Sequence, residues 1–289
     1  MSEQVQTGGI TYTDSAALYG KPGLDLVLVE TDRCRAVIAV QGAQLLEFQA
    51  LGHEPLLWLS PAAVFEPGKA VRGGIPLCLP WFGVHPEPAR PKHGLVRTRP
   101  WRLEASRERP DGTRELVFTY RHDGDADFTP FLCSVTMELG KKLRLVLELE
   151  NTADEAARFS WAWHSYFPVD NVHDIRVLGL EETDYLDNTR GLQRARQEGA
   201  VGFPGEVDRV YEHAGDTQRI EARAPIQAHS GECRSVIAWN PGAGLAATLA
   251  DVGEHYAQFV CVEHGNAFAN SWQLGIGERR TAWLELERE

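Results

Sequence analysis

Two imidazoles and two carboxylates stand out as groups that could move protons: His93, His164, Asp208 and Glu263. With ordinary pKa values of about 6.5 for an imidazole and about 4.3 for a glutamate, such groups can exchange acid and base roles near neutral pH. His93 lies in a basic island. Arg90, Lys92, Arg97, Arg99 and Arg102 fall between Ala89 and Leu103 with no acid among them, in a chain whose 29 Lys+Arg against 41 Asp+Glu give a net charge of −12. Such an island suits one local anion better than a polyanion. It follows Arg72-Gly-Gly-Ile-Pro76 and Pro80-Trp-Phe-Gly83, a Pro- and Gly-rich stretch of the kind that carries sites on loops.

Each residue also has a plainer reading. A run of Arg and Lys is commonly a solvated face, and a lone histidine is commonly structural. His164 follows the aromatic run Phe159-Ser-Trp-Ala-Trp163 and precedes Tyr166-Phe167, so it could be a hydrogen-bonded ring among aromatics. Glu263 ends the apolar run Phe259–Val262. A carboxylate there is costly to desolvate unless it is paired, or else it reaches water at a strand end. Asp208, between Glu206 and Tyr211, reads as a loop acid. Spacing alone does not distinguish His93 from His164.

Other chemistries fit less well. There is no Gly-x-x-x-x-Gly-Lys loop, no Gly-x-Gly-x-x-Gly, no His-Glu-x-x-His and no Gly-x-Ser-x-Gly. The cysteines at 34, 78, 133, 233 and 261 form no Cys-x-x-Cys pair, and several lie in apolar runs, which points to small buried side chains rather than disulfides or zinc. Scattered metal ligands such as His93, His164 and Glu263 stay open as an alternative. The acidic balance argues against nucleic acid or an anionic membrane as partner. No apolar run approaches the roughly 20 residues of a membrane helix. The first residues lack a secretory pattern, so a cytoplasmic location is expected.

The elements that must position these residues are short strands. Leu24–Glu30, Cys34–Val40 and Ala43–Phe48 read as strands, with a turn at Gln41-Gly42. Pro55–Leu59 reads as another, and Ser60–Val64 as one helical turn. Trp101–Ala105 and Glu115–Tyr120 flank a turn at Pro110-Asp-Gly112. Phe131–Leu139 and Leu143–Asn151 read as a hairpin, with Leu143, Leu145, Leu147 and Leu149 on one face. Arg158–Trp163, Ile175–Leu180, Arg219–Ala222, Ser235–Trp239, Leu245–Leu249, Tyr256–Val262 and Thr281–Leu286 complete the set, while 170–234 is otherwise loop-like. Many short strands and almost no helical periodicity predict an all-β, large antiparallel sandwich. The 289 residues are expected to form a single domain, with 1–20 a loose lead-in.

Taken together and in order, the motifs resemble the hexose-6-phosphate mutarotases (glucose-6-phosphate 1-epimerases) of the aldose 1-epimerase superfamily. The resemblance rests on Arg72-Gly-Gly-Ile-Pro, Pro80-Trp-Phe-Gly, His93-Gly-Leu-Val-Arg97, His164-Ser-Tyr-Phe, Asp208-Arg-Val-Tyr211, Trp239-Asn-Pro and Cys261-Val-Glu263. It implies a sugar on the concave face of a galactose-mutarotase-like sandwich, with His164 as general acid and Glu263 as general base. His93 would assist at the sugar ring, Asp208 would orient a hydroxyl or His164, and Arg72 and Arg97 would hold phosphate. Trp81, Phe82 and Trp239 could form an apolar floor. The chain departs from the pattern at Lys92, where an uncharged residue is expected, and at Gly242, where an aromatic is common. The implied reaction interconverts the anomers of a hexose 6-phosphate, above all glucose 6-phosphate, in a monomer with no cofactor or metal. A free-sugar aldose 1-epimerase and a non-catalytic sugar-phosphate binder are the alternatives.

Overall fold

A computed structural model describes Gln6, Thr7 and residues 9–289. Every strand-to-strand ladder among the described residues is antiparallel. The result is the expected antiparallel β-sandwich. A five-stranded sheet carries the N-terminal strands up to Gln44–Ala50, and two eight-stranded sheets follow. One of these contains the hairpin Phe131–Leu139 and Leu143–Asn151, flanked by Arg114–His122 and Arg279–Arg288. The alternation in the hairpin is as read: Leu143, Leu145, Leu147 and Leu149 are buried, with more accessible residues between them.

The other eight-stranded sheet positions the site. Its order across the sheet is Gln193–Arg196, Asp184–Asp187, Val207–Tyr211, Ser235–Asn240, Phe259–Asn266, Trp161–Trp163 and Leu77–Cys78, with Tyr166–Pro168 also paired to Phe259–Asn266. Its strands use period two to separate two tasks. Val207, Tyr211, Val236, Ala238, Val260 and Val262 join the main hydrophobic core together with the hairpin leucines. The alternate residues point away from that core. Asp208 lies opposite Trp239, Trp239 opposite Cys261, and Cys261 opposite Tyr166. In the next row Val210 lies opposite Ile237, and Ile237 opposite Glu263.

Several local expectations are corrected. Residues 10–19, read as loose, form a strand (Ile10–Asp14) paired to Asp25–Glu30 and a helical turn (Ser15–Tyr19). Asp14 caps the turn by accepting from Ala17 N–H at 2.8 Å, and Ser15 Oγ accepts from Leu24 N–H. The rest of that lead-in, residues 1–5 and 8, lies outside the described residues. Pro55–Leu59 has only one bridge, from Leu59 to Gly73, and 60–64 is a turn whose Ser60 Oγ accepts from Ala62 N–H. Arg158–Trp163 is not one strand. Ala157–Phe159 pairs with Trp272–Leu274, Trp161–Trp163 pairs with Phe259–Asn266, and the chain changes sheets at Ser160.

Leu245–Leu249 is not a strand. Gly242–Ala246 is a helical turn, because Asn240 fixes the chain there. The Asn240 side chain donates to the carbonyls of Tyr256 and Phe259 and accepts from Gly242 N–H. Gly242 has φ +59°, and a Cβ there would lie 2.5 Å from the Glu206 nitrogen. An aromatic residue at this position is thereby excluded. Cys34, Cys133 and Cys261 are buried, as read, and Cys78 and Cys233 are buried as well; all five are free.

His264 gives this fold a testable acid response. It is fully buried on the core side, with Nε2 against Gln218 Oε1 at 2.9 Å, and burial pushes its pKa down from 6.5 to about 4. A lowered folded pKa means stability that is present above pH 6.5 and lost as pH falls towards 4. The loss should reach about 3 kcal/mol at pH 4 for a shift of this size. Denaturant unfolding at pH 7 and pH 4 should show this difference in the parent, and His264→Gln should lose that part of it.

Candidate active site

A cavity of about 400 Å³ lies against the outward row of the site sheet. Glu263 and His164 line it together with His93, Asp208, Arg72 and Arg97. The proton-moving groups read from the sequence therefore converge, although they come from separate stretches of chain. Phe82 and Trp239 also line it. Trp81 does not, which corrects its place in the apolar floor. Its ring is buried beside His85, and its Nε1 donates to the Pro91 carbonyl at 2.9 Å, bracing the loop that carries His93. Asp208 is corrected from a loop acid to a half-buried strand residue.

The centre of the site is a buried pair. His164 Nε2 lies 3.3 Å from Glu263 Oε1, and the side chains are only 8% and 1% exposed. The His164 ring stacks on Tyr166 at 4.8 Å and meets Trp239 edge-on. Its backbone N–H donates to the Pro76 carbonyl. Two polar atoms of the pair, His164 Nδ1 and Glu263 Oε2, are buried without a protein partner. Burial, then the charge of Asp208, pushes Glu263 well above the ordinary carboxylate range, against the pull of Lys92 and Arg97. Burial, then Arg72, Arg97 and Lys92, pushes His164 well below 6.5. Both shifts disfavour a permanent ion pair. The pair instead holds one proton between a neutral imidazole and a carboxylic acid.

His93 is held differently. It has φ +66°, unusual for a residue with a side chain. Its N–H donates to the Gly83 carbonyl at 2.8 Å, and its Nδ1 accepts from Gly83 N–H at 3.3 Å. That second bond assigns the ring proton to Nε2. Gly94 follows with φ +74°, where a Cβ would lie 2.1 Å from the Leu79 carbonyl oxygen. The glycine therefore serves close backbone packing. Burial, then His164 and Arg97, keeps His93 neutral by pushing its pKa well below 6.5. It is a fixed hydrogen-bond donor rather than a base.

The basic island divides. Arg90 pairs with Glu87 and Asp127 away from the cavity, and Arg99 and Arg102 are exposed. Lys92 and Arg97 line the cavity, and Arg97 Nη2 donates to the Lys92 carbonyl at 2.6 Å. Arg72 is anchored. Asp251 accepts from its Nε at 3.0 Å and its Nη2 at 3.2 Å, and Tyr166 OH accepts from its Nη1 at 2.9 Å. Although burial opposes its charge, Tyr166 and Asp251 hold its pKa above the ordinary value. Asp208 accepts from Asn188 at 2.7 Å rather than bonding His164, and burial raises its pKa.

Of the basic island's residues Lys92, which also departs from the motif pattern, reaches the cavity beside Arg97. Asp251, Asn188, Leu245 and Leu249 were not read from the sequence as site residues. Asp251 joins Arg72 across 179 positions, which no local pattern signals. His164, Cys261 and Glu263 each bring a metal-ligating atom within 4.8 Å of the others. Burial, then Glu263, raises the Cys261 thiol well above its usual pKa.

An antiparallel sandwich with a buried His–Glu pair and cations in one cavity is an arrangement that can move protons on a bound anionic ligand. The sequence pattern of the aldose 1-epimerase family matches residues 25–287, and the chain belongs to that family. A relative from Escherichia coli (strain K12) named "Putative glucose-6-phosphate 1-epimerase" is 32% identical over 263 residues, covering 89% of this chain and 87% of its own length. The crystal structure of "a putative mutarotase" from Salmonella typhimurium superposes with a TM-score of 0.88 at 28% identity, covering 99% of this chain and 95% of the other. A galactose mutarotase-like protein from Clostridium acetobutylicum shares the fold, with a TM-score of 0.74 at 13% identity over 100% of this chain and 99% of the other. No helix among the described residues is long and apolar enough to cross a membrane.

The raised pKa of Glu263 has a consequence for stability. Its contribution is full below the unfolded value of about 4.3 and falls as pH rises towards the folded value. At pH 8 Glu263→Gln removes that cost and should stabilise the fold by about 1–2 kcal/mol. Denaturant unfolding at pH 8 checks this.

Proposed function

We propose that the chain interconverts the α and β anomers of a hexose 6-phosphate, glucose 6-phosphate first among them, by opening and reclosing the ring. The observation that carries this reading is one cavity holding a buried acid–base pair beside the cations Arg97 and Lys92. The name of the Escherichia coli relative supports the same substrate.

The steps follow from one shared proton. Glu263, as carboxylate, removes the proton from O1 while His164, as imidazolium, protonates the ring oxygen. The C1–O5 bond breaks and leaves an aldehyde. Rotation about C1–C2 presents the other face, and reversal of both transfers closes the ring as the other anomer. The pair starts and ends with the same proton count, so no redox partner is consumed. At rest burial, then the cations Arg72, Arg97 and Lys92, disfavours the imidazolium. A bound phosphate dianion offsets the cationic part of that effect and so favours the proton on His164. His93 Nε2–H can donate to a sugar oxygen throughout, and Asp208 with Asn188 can orient a hydroxyl. Phe82 and Trp239 offer apolar surface to the ring.

Saturation-transfer NMR of anomer exchange tests this, with glucose 6-phosphate and free glucose run side by side. Exchange in glucose 6-phosphate should accelerate with protein. Glu263→Gln should lower kcat by about 10²–10⁴-fold, the range for loss of a general base. Arg97→Ala should raise KM for the phosphate ester by about tenfold or more through loss of a charge-assisted fork. Exchange no faster than without protein would overturn the epimerase reading. Equal acceleration of both sugars would point to a free-sugar enzyme.

A further inference from the structure

The charges lining the cavity do not balance as the motif pattern suggests. Arg72 carries a positive charge, but Asp251 lies on its Nε and Nη2 as a salt bridge. Of the five N–H groups in a guanidinium, those bonds and the one to Tyr166 use three, leaving one on each Nη. Arg72 can therefore still offer two hydrogen bonds to an oxyanion, while its charge is already shared in a salt bridge with Asp251. Arg97 has no acidic partner among the described residues. Its Nη2 donates to the Lys92 carbonyl, and its Nε is buried without a partner among the described residues.

Lys92 is exposed, lines the cavity and likewise forms no ion pair among the described residues. Of the carboxylates on the cavity wall, Glu263 is held against His164, while Asp208 accepts from the uncharged Asn188 and has no cationic salt-bridge partner among the described residues. With Arg72 paired to Asp251, the wall thus presents two cations without a salt-bridge partner among the described residues, Arg97 and Lys92, against the single carboxylate of Asp208. A phosphate monoester carries a charge of about −1.5 to −2 at neutral pH.

Resting on the sugar-phosphate reading above, we propose that Lys92 is a specificity-determining residue. Together with Arg97 it supplies the charge that selects a phosphorylated sugar, while Arg72 serves as an oriented hydrogen-bond fork. The Arg97–Lys92 bond couples the two cations, because it fixes the backbone from which Lys92 projects. A lysine suits this place as a point charge on a flexible stem that can follow the phosphate.

The test is equilibrium binding, which needs no turnover. NMR titrations of the full chain with glucose 6-phosphate, inorganic phosphate and free glucose would be run on the parent, Lys92→Gln and Lys92→Arg. The proposal expects Lys92→Gln to weaken glucose 6-phosphate and inorganic phosphate by about tenfold, with free glucose unchanged, and Lys92→Arg to restore most of the loss. The salt dependence of glucose 6-phosphate binding should also become shallower in Lys92→Gln. Unchanged phosphate binding in Lys92→Gln would overturn it. So would an equal loss for free glucose, which would mean that Lys92 acts through Asp208 on the sugar. A parent that binds no phosphate overturns both this proposal and the choice of a phosphorylated substrate. Binding that depends on Lys92 without any anomer exchange would leave this proposal standing and defeat only the epimerase reading.

Discussion

A carboxylate and an imidazole sit 3.3 Å apart beneath a cavity, both nearly removed from water. This is an expensive arrangement, and much of the surrounding structure answers its cost. Neither group can hold its full charge in that setting. Burial drives each towards neutrality, and the cations Arg72, Arg97 and Lys92 sharpen the effect on His164. A proton placed between such groups is easily moved from one to the other. That is what a reaction with reversing acid and base roles requires.

The sheet makes the arrangement affordable by splitting its faces. Along Phe259–Asn266, Val260 and Val262 enter the main core, while Cys261 and Glu263 take the opposite face. The apolar side fixes the register, since a slip by one residue would turn Glu263 into the core. The aromatic packing of His164 against Tyr166 and Trp239 then fixes the ring. Tyr166 serves twice, because its hydroxyl also accepts from Arg72. His164, Glu263 and Arg72 are therefore tied to one platform, with the Gly83–His93 loop beside it.

The sequence made much of this legible where periodicity is strong. The leucine alternation of 143–149 predicted its hairpin, and the apolar run before Glu263 predicted a strand, although Glu263 lies buried within that strand rather than at its end. His93, His164, Asp208 and Glu263 were singled out and do meet in one cavity. What failed was non-local. Leu245–Leu249 has strand-like residues, but the Asn240 hydrogen bonds and the left-handed Gly242 turn the chain first. Trp81 carries the right ring for a sugar floor yet points into the wall. The Arg72–Asp251 salt bridge has no sequence signature, although it decides which cations remain without a salt-bridge partner among the described residues.

The account turns on the single proton of the His164–Glu263 pair. The ring nitrogens of His164, followed by nitrogen-15 NMR across the pH range around neutrality, report it directly. The account predicts one protonated and one bare nitrogen at pH 7, with no conversion to imidazolium as pH falls through 6.5, the ordinary value for histidine. An imidazolium at pH 7, or a titration centred on the ordinary value, would contradict it.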